Sequence, residues 1–331
     1  MSEFPTKTYT VASTGHTYDY IRIQASAPSK STIAFFHGFP AVASGWRHQI
    51  KHFVDQGYGI IAPNALGYGG SSKPESPSEY RSRLAIAAFA EILDHENIDT
   101  CHGVGHDFGC LFLSRLYNYH PKRLLSLTFI SVPYNAPGVP FDLEAVNQLT
   151  KKMIGFEKFG YIQFLITDRA PGLIEQHLAS FQSLAYHKDV ITKADNFYPP
   201  GKLEAWLEAD RNDHNVLTNS EESAAWYDAF SKGGFRGPLN WYHGMSGNIN
   251  QEEEKADLAS GKMISKINVP VLVVDAKPDK SSIPGFMEGS TKQYAEQVTV
   301  KTVETQGHYP HITSKEEVNQ AIGDLISGVD S

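Results

Sequence analysis

Gly105-His106-Asp107-Phe108-Gly109 decides how this sequence folds. The apolar, β-branched run at 100–105 leads into it, and the helical pattern at 108–119 leads out. Glycines two positions before and two after a polar side chain, at a strand-to-helix junction, permit a bend that thrusts that side chain outward. The side chain is Asp107, and no Gly-x-Ser-x-Gly occurs elsewhere. Aspartate is also a good helix N-cap, but the glycines, the preceding histidine and the loop His37-Gly38-Phe39-Pro40 favour a nucleophile.

Working outward, short apolar runs at 17–24, 31–36, 59–63, 100–105 and 124–132 read as strands. Amphipathic patterns at 46–56, 81–95 and 108–119 read as the helices between them. Strands separated by helices predict a mostly parallel central sheet with helices on both faces. From Pro133 the rhythm changes: 138–231 holds helical, aromatic-rich segments, including 202–209 and 220–230, with no convincing strand. The α/β alternation resumes with strands at 269–275 and 298–303 and a closing helix at 314–326. The expected organisation is a first core part at 1–137, a helical cap at 138–245 and a second core part at 246–331. Glu252-Glu253-Glu254 reads as a solvated face in the return segment.

The 331 residues suit one large domain carrying an insertion, with 41% hydrophobic residues available for a core. A net charge of −8 lacks the basic footprint of a nucleic-acid or anionic-membrane binder. Cys101 and Cys110 fall in an expected buried strand and the helix after it, so two packed thiols in a reducing compartment are the simplest reading. No apolar stretch resembles a signal peptide or a membrane span, which predicts a cytoplasmic protein.

A carboxylate at the elbow sets the reaction class. Asp107 can displace a leaving group at saturated carbon and so form an alkyl ester on the enzyme. Hydrolysing that ester needs a general base and two donors for the developing oxyanion. The backbone N–H groups of Phe39 and Phe108 are the candidate donors. His308, in Gly307-His308-Tyr309 after strand 298–303, is the candidate base. Its orienting acid is Asp279, on the loop after strand 269–275, with Asp275 as competitor at the strand's end. All lie beyond the carboxyl ends of strands, in the order nucleophile, acid, histidine. His308 and His311 form a His-x-x-His pair, but no partner ligands at metal spacing accompany them, so neither metal nor cofactor is expected. His102 and His106 read as packing residues or as supports behind the catalytic groups, not as catalysts.

These stretches resemble the epoxide hydrolase family of α/β-hydrolases over most of the chain. HGFP at 37–40, GYGGSSKP at 67–74, GHDFG at 105–109 and RGPLNWY at 236–242 carry the resemblance, the last most specifically. It implies an α/β-hydrolase fold with an inserted cap. It also implies two lid tyrosines, Tyr242 and Tyr161, that hold the epoxide oxygen and protonate it. A phenol of pKa about 10 can donate a hydrogen bond first and a proton as the ring opens. The sequence departs from the family at Phe108, commonly tryptophan, and at Leu66, commonly arginine.

The expected partners are a small epoxide and water, for a monomer or homodimer. The lid aromatics Phe156, Phe159, Phe164, Trp206, Trp226, Tyr227 and Trp241 suggest that the epoxide is apolar. A haloalkane or haloacid dehalogenase uses the same nucleophile but needs side-chain N–H donors around the halide, and Phe39 and Phe108 supply none. A ligand receptor on this fold is the remaining alternative.

Overall fold

Short runs in the middle of the chain become central strands here because burial covers nearly every residue of Thr32–Phe36, Gly59–Pro63, Cys101–His106 and Leu124–Ile130. The computed structural model describes residues 4–277, 283–304 and 307–331. The strands are β1 (Thr6–Thr10), β2 (Thr17–Ile23), β3 (Thr32–Phe36), β4 (Gly59–Pro63), β5 (Cys101–His106), β6 (Leu124–Ile130), β7 (Val271–Ala276) and β8 (Val298–Val303). They form one eight-stranded sheet in the order β1-β2-β4-β3-β5-β6-β7-β8. β2 pairs antiparallel with β1 and β4, and every other pairing is parallel.

Between the strands up to β6 lie α1 (Arg47–Asp55), α2 (Ser82–His95) and α3 (Phe108–Tyr119). Between β6 and β7 come α4 (Leu143–Ile154), α5 (Tyr161–Leu165), α6 (Ala170–Gln176), α7 (Leu178–Ala185), α8 (Val190–Asn196), α9 (Lys202–Glu208), α10 (Ser220–Gly233), α11 (Arg236–Ser246) and α12 (Gln251–Ala259). Among the described residues, the one β pairing with both ends there is an isolated bridge, His187 to Val216, and a second bridge joins Ile267 to Ala295. α13 (Phe286–Lys292), α14 (Pro310–Thr313) and α15 (Lys315–Asp330) complete the chain.

The period of two in a strand sorts its side chains between two cores. In β3, Ile33 and Phe35 join a cluster with Ile50 and Phe53 of α1 and Val318, Ile322 and Ile326 of α15. Ala34 and Phe36 join the opposite cluster with Ile86 and Phe89 of α2 and Leu113 and Leu116 of α3. The i, i+4, i+8 stripe on α15 contributes about 1.5–3 kcal/mol per buried side chain. The second cluster runs on without a break into the inserted helices.

Two expectations need correction. β1 escaped the sequence reading because Thr-Lys-Thr-Tyr-Thr is short and almost wholly exposed, and only its ladder with β2 makes it a strand. The Glu252-Glu253-Glu254 run is not a solvated face throughout. Glu252 is exposed, but Glu254 is buried. Its carboxylate accepts from Arg115 Nε and Nη2 at 2.5 and 3.0 Å, and from the Gly138 N–H at 2.8 Å. A charge run at helical period puts one member inward whenever a buried cation waits for it.

Candidate active site

The bend after β5 is built by exclusion. Asp107 has φ 54°, ψ −124°, a sparsely populated region for a residue with a Cβ, and α3 begins at once with Phe108. Gly109 lets that helix approach β3, since a Cβ there would sit 1.9 Å from the Phe36 carbonyl oxygen. The Asp107 N–H reaches the Ile130 carbonyl at 3.4 Å, and its carbonyl accepts the Cys110 N–H at 2.9 Å. Each of these anchors is backbone, so the carboxylate is aimed by the fold itself.

The two carboxylate oxygens have different neighbours. The Phe39 N–H donates to Oδ1 at 2.9 Å, and His308 Nε2 lies 3.2 Å from Oδ2. Phe108, as the first residue of α3, has an N–H with no acceptor inside that helix. Burial pushes the Asp107 carboxyl up. The hydrogen bond and charge of His308, followed by the Phe39 N–H, more than offset this and hold it well below the usual carboxylate range. Burial lowers the His308 pKa below its ordinary 6.5, partly against the pull of Asp107. Both side chains remain reachable, at 24% exposure for His308 and 17% for Asp107.

The HGFP loop is held from core and insertion alike. His37 Nδ1–H donates to the Gly38 carbonyl at 3.0 Å, and Nε2 accepts from the Ala65 N–H at 3.1 Å. Burial lowers the pKa of this imidazole to about 4, so it stays neutral. The Pro40 carbonyl accepts from Tyr186 Oη at 2.8 Å and from Trp226 Nε1 at 2.6 Å, both from inserted helices or their ends. Sequence reasoning missed this clasp, because nothing local links positions so far apart.

The two expected tyrosines meet above the elbow. Tyr242 stands edge-on to Phe39 and Phe108, with ring centroids 5.1 and 4.9 Å away. Tyr161 lies 6.2 Å from Tyr242, and their hydroxyls interact. Burial, followed for Tyr161 by the Asp107 charge and for Tyr242 by Tyr161 and Asp107, pushes both phenols above 10.0. RGPLNWY opens α11, which docks on the GYGGSSKP loop. A Cβ on Gly67, at φ 92°, would lie 2.7 Å from the Gly237 carbonyl carbon, and Trp241 Nε1 donates to the Leu66 carbonyl at 2.9 Å.

Asp279 lies outside the described residues. Its competitor Asp275 is the last residue but one of β7, half-buried. His106 is buried, and its Nε2–H donates to the His308 carbonyl at 2.8 Å, not to the nucleophile. His102 is held by Ser126 at 2.8 Å and Asp330 at 3.0 Å on the far side of the core. His311 is buried against Trp46 and His106. Cys101 and Cys110 are buried free thiols. Among the described residues no group of three or more His, Cys, Asp or Glu could hold a metal, and no helix is long and apolar enough to cross a membrane.

The family model of the alpha/beta hydrolase fold matches residues 32–315. The chain belongs to the alpha/beta hydrolase fold family. This hydrolase is 28% identical to Epoxide hydrolase A of Mycobacterium tuberculosis over 93% of its own chain and 94% of the relative's. It is 25% identical to an epoxide hydrolase of Neurospora crassa over 96% and 94%. The crystal structure of Epoxide Hydrolase A from Mycobacterium thermoresistibile matches it with TM-score 0.78 at 25% identity, covering 98% of this chain and 99% of that one. Potato epoxide hydrolase I shares the fold, with TM-score 0.76 at 24% identity over 98% and 100%. Both of these relatives and both of these solved structures bear the name epoxide hydrolase.

Not every expected lid aromatic faces the site. Tyr227 is exposed, and Trp206 is buried with its Nε1 on the Ser180 carbonyl and Arg211 over its ring. The rings beside the two phenols are Phe39, Phe108, Phe197 and Tyr198.

Proposed function

We propose that this hydrolase opens an epoxide to a vicinal diol through an alkyl ester on Asp107. The observation that carries the reading is one carboxylate with an N–H on Oδ1, an imidazole 3.2 Å from Oδ2 and two phenols above it. Oδ2 attacks a ring carbon and the C–O bond breaks. The freed oxygen takes the proton of Tyr161 or Tyr242. Water then adds to the Asp107 carboxyl carbon as His308 takes its proton. Phe39 and Phe108 N–H groups stabilise the charge on Oδ1. Collapse expels the diol oxygen, which takes the proton from His308. The proton released as the carboxyl reforms restores the phenol. Asp279 orients His308, and segment 138–245 is the cap that supplies both tyrosines.

The dehalogenase alternative needs side-chain N–H donors at the site. Three of the four indoles, Trp206, Trp226 and Trp241, donate instead to the carbonyls of Ser180, Pro40 and Leu66. A tyrosine pair suits a leaving oxygen, which needs a proton, better than a halide, which does not. Styrene oxide supplied to the enzyme should yield phenylethanediol. His308→Gln should accumulate an Asp107 adduct visible by mass spectrometry, and Asp107→Ala should form neither adduct nor diol. Halide released from a chloroalkane faster than diol forms would reverse the assignment, and unmodified His308→Gln protein under saturating epoxide would favour a receptor.

A further inference from the structure

Ser131 follows β6 with φ 63°, in the left-handed region that a serine rarely occupies. Its N–H is tied to the Val274 carbonyl of β7 at 3.2 Å. Its hydroxyl donates to the His308 carbonyl at 3.0 Å. The same carbonyl accepts His106 Nε2–H at 2.8 Å, from the end of β5. Both lone pairs of one main-chain oxygen are therefore used by donors from two strand ends. The His106 ring also packs against His308, with centroids 4.8 Å apart. Burial, with the charge of His308 behind it, lowers the His106 pKa to about 3, so the ring donates as a neutral imidazole.

We infer that Ser131 and His106 are positioning residues for the second half of the reaction, holding His308 while water attacks the ester. The inference rests on the reading of His308 as the base. In the free enzyme the ring has its own tether, Asp107 Oδ2 at 3.2 Å. Once Oδ2 carries the alkyl group, that charged acceptor is gone. From then on the ring depends on its main chain and its orienting acid to stay beside the ester carbon. The clasp on the His308 carbonyl supplies the main-chain part. Misplacement of a reacting group costs rate steeply, and here the cost falls on one step. Alkylation needs Asp107 and the phenols and is indifferent to the clasp.

Rapid-quench mass spectrometry with styrene oxide separates the steps by following the ester-bearing fraction through single turnovers. Ser131→Ala should slow ester hydrolysis about tenfold, with alkylation within about twofold of the parent. Ser131→Gly, which accepts φ 63° without strain, should match Ser131→Ala, since the hydroxyl is what matters. His106→Gln keeps an N–H donor and should hydrolyse the ester faster than His106→Leu. Unchanged ester hydrolysis in both Ser131 variants, or equal slowing of both steps, overturns the inference. So does a parental rate in Ser131→Gly alone, which would assign the effect to backbone strain. His308→Gln run alongside separates the two ideas. If it traps no ester the base assignment has failed, whereas an ester trapped there but not prolonged by the Ser131 variants refutes the clasp alone.

Discussion

Two protonation states govern the chemistry of single residues here. His308 must be neutral to take a proton from water. Burial, the largest influence, sets its pKa below 6.5 while Asp107 pulls it upward. In the ester Asp107 is uncharged, so that upward pull is lost and the imidazole stays neutral to lower pH. The acid limb of kcat should therefore lie below pH 6.5. Tyr161 and Tyr242 must be protonated, and burial raises both above 10.0, so the alkaline limb should lie above that value. A pH profile of diol formation checks both. An acid limb centred above 6.5, or a loss of rate between pH 8 and 9, would contradict the assignments.

At the scale of elements, α3 and α12 are joined by a pair that neither helix announces. Arg115 and Glu254 side chains are each 4% exposed and meet at 2.5 Å. Arg115 also donates to the Asn135 carbonyl and Oδ1 at 2.6 and 2.8 Å, and Glu254 accepts from Ser82 Oγ at 3.1 Å. With the Gly138 N–H, this network ties the chain leaving the sheet to the helix that returns to it. Removing one partner strands a buried charge. Glu254→Ala should cost about 3–5 kcal/mol in urea unfolding, whereas Glu252→Ala, on the exposed side, should lie within about 0.5 kcal/mol of the parent. In both sequence and structure the helix at 108–119 has the same ends, because glycines and an apolar stripe define it locally. Glu254 defied the reading because period alone does not tell which acidic residue faces a buried arginine.

The whole molecule couples the inserted helices to the oxyanion loop. Tyr186 and Trp226 converge on the Pro40 carbonyl, one residue after the N–H that holds Asp107 Oδ1. Trp226→Phe keeps most of the packing against Phe230 and Phe181 but removes one donor. It should lower stability by about 1 kcal/mol and slow ester hydrolysis as Phe39 loses its setting. Urea titration and the single-turnover ester decay measure the two effects, and an unchanged decay would show that the clasp serves the insertion's stability alone.

Alternation of apolar runs, glycine spacing around Asp107 and the motifs at 37–40, 67–74 and 236–242 were enough to determine the sheet-and-helix class, the elbow and the residues worth watching. Those signals are local, and hydrophobic period and backbone permissiveness are readable within a few neighbours. Tertiary structure alone decided that Oδ1 faces Phe39 while Oδ2 faces His308, that Tyr161 and Tyr242 meet over one carboxylate, and that Ser131 and His106 share one carbonyl. Those relations join residues up to 202 positions apart. No local pattern encodes distance across a sheet, since the packing of whole layers sets it.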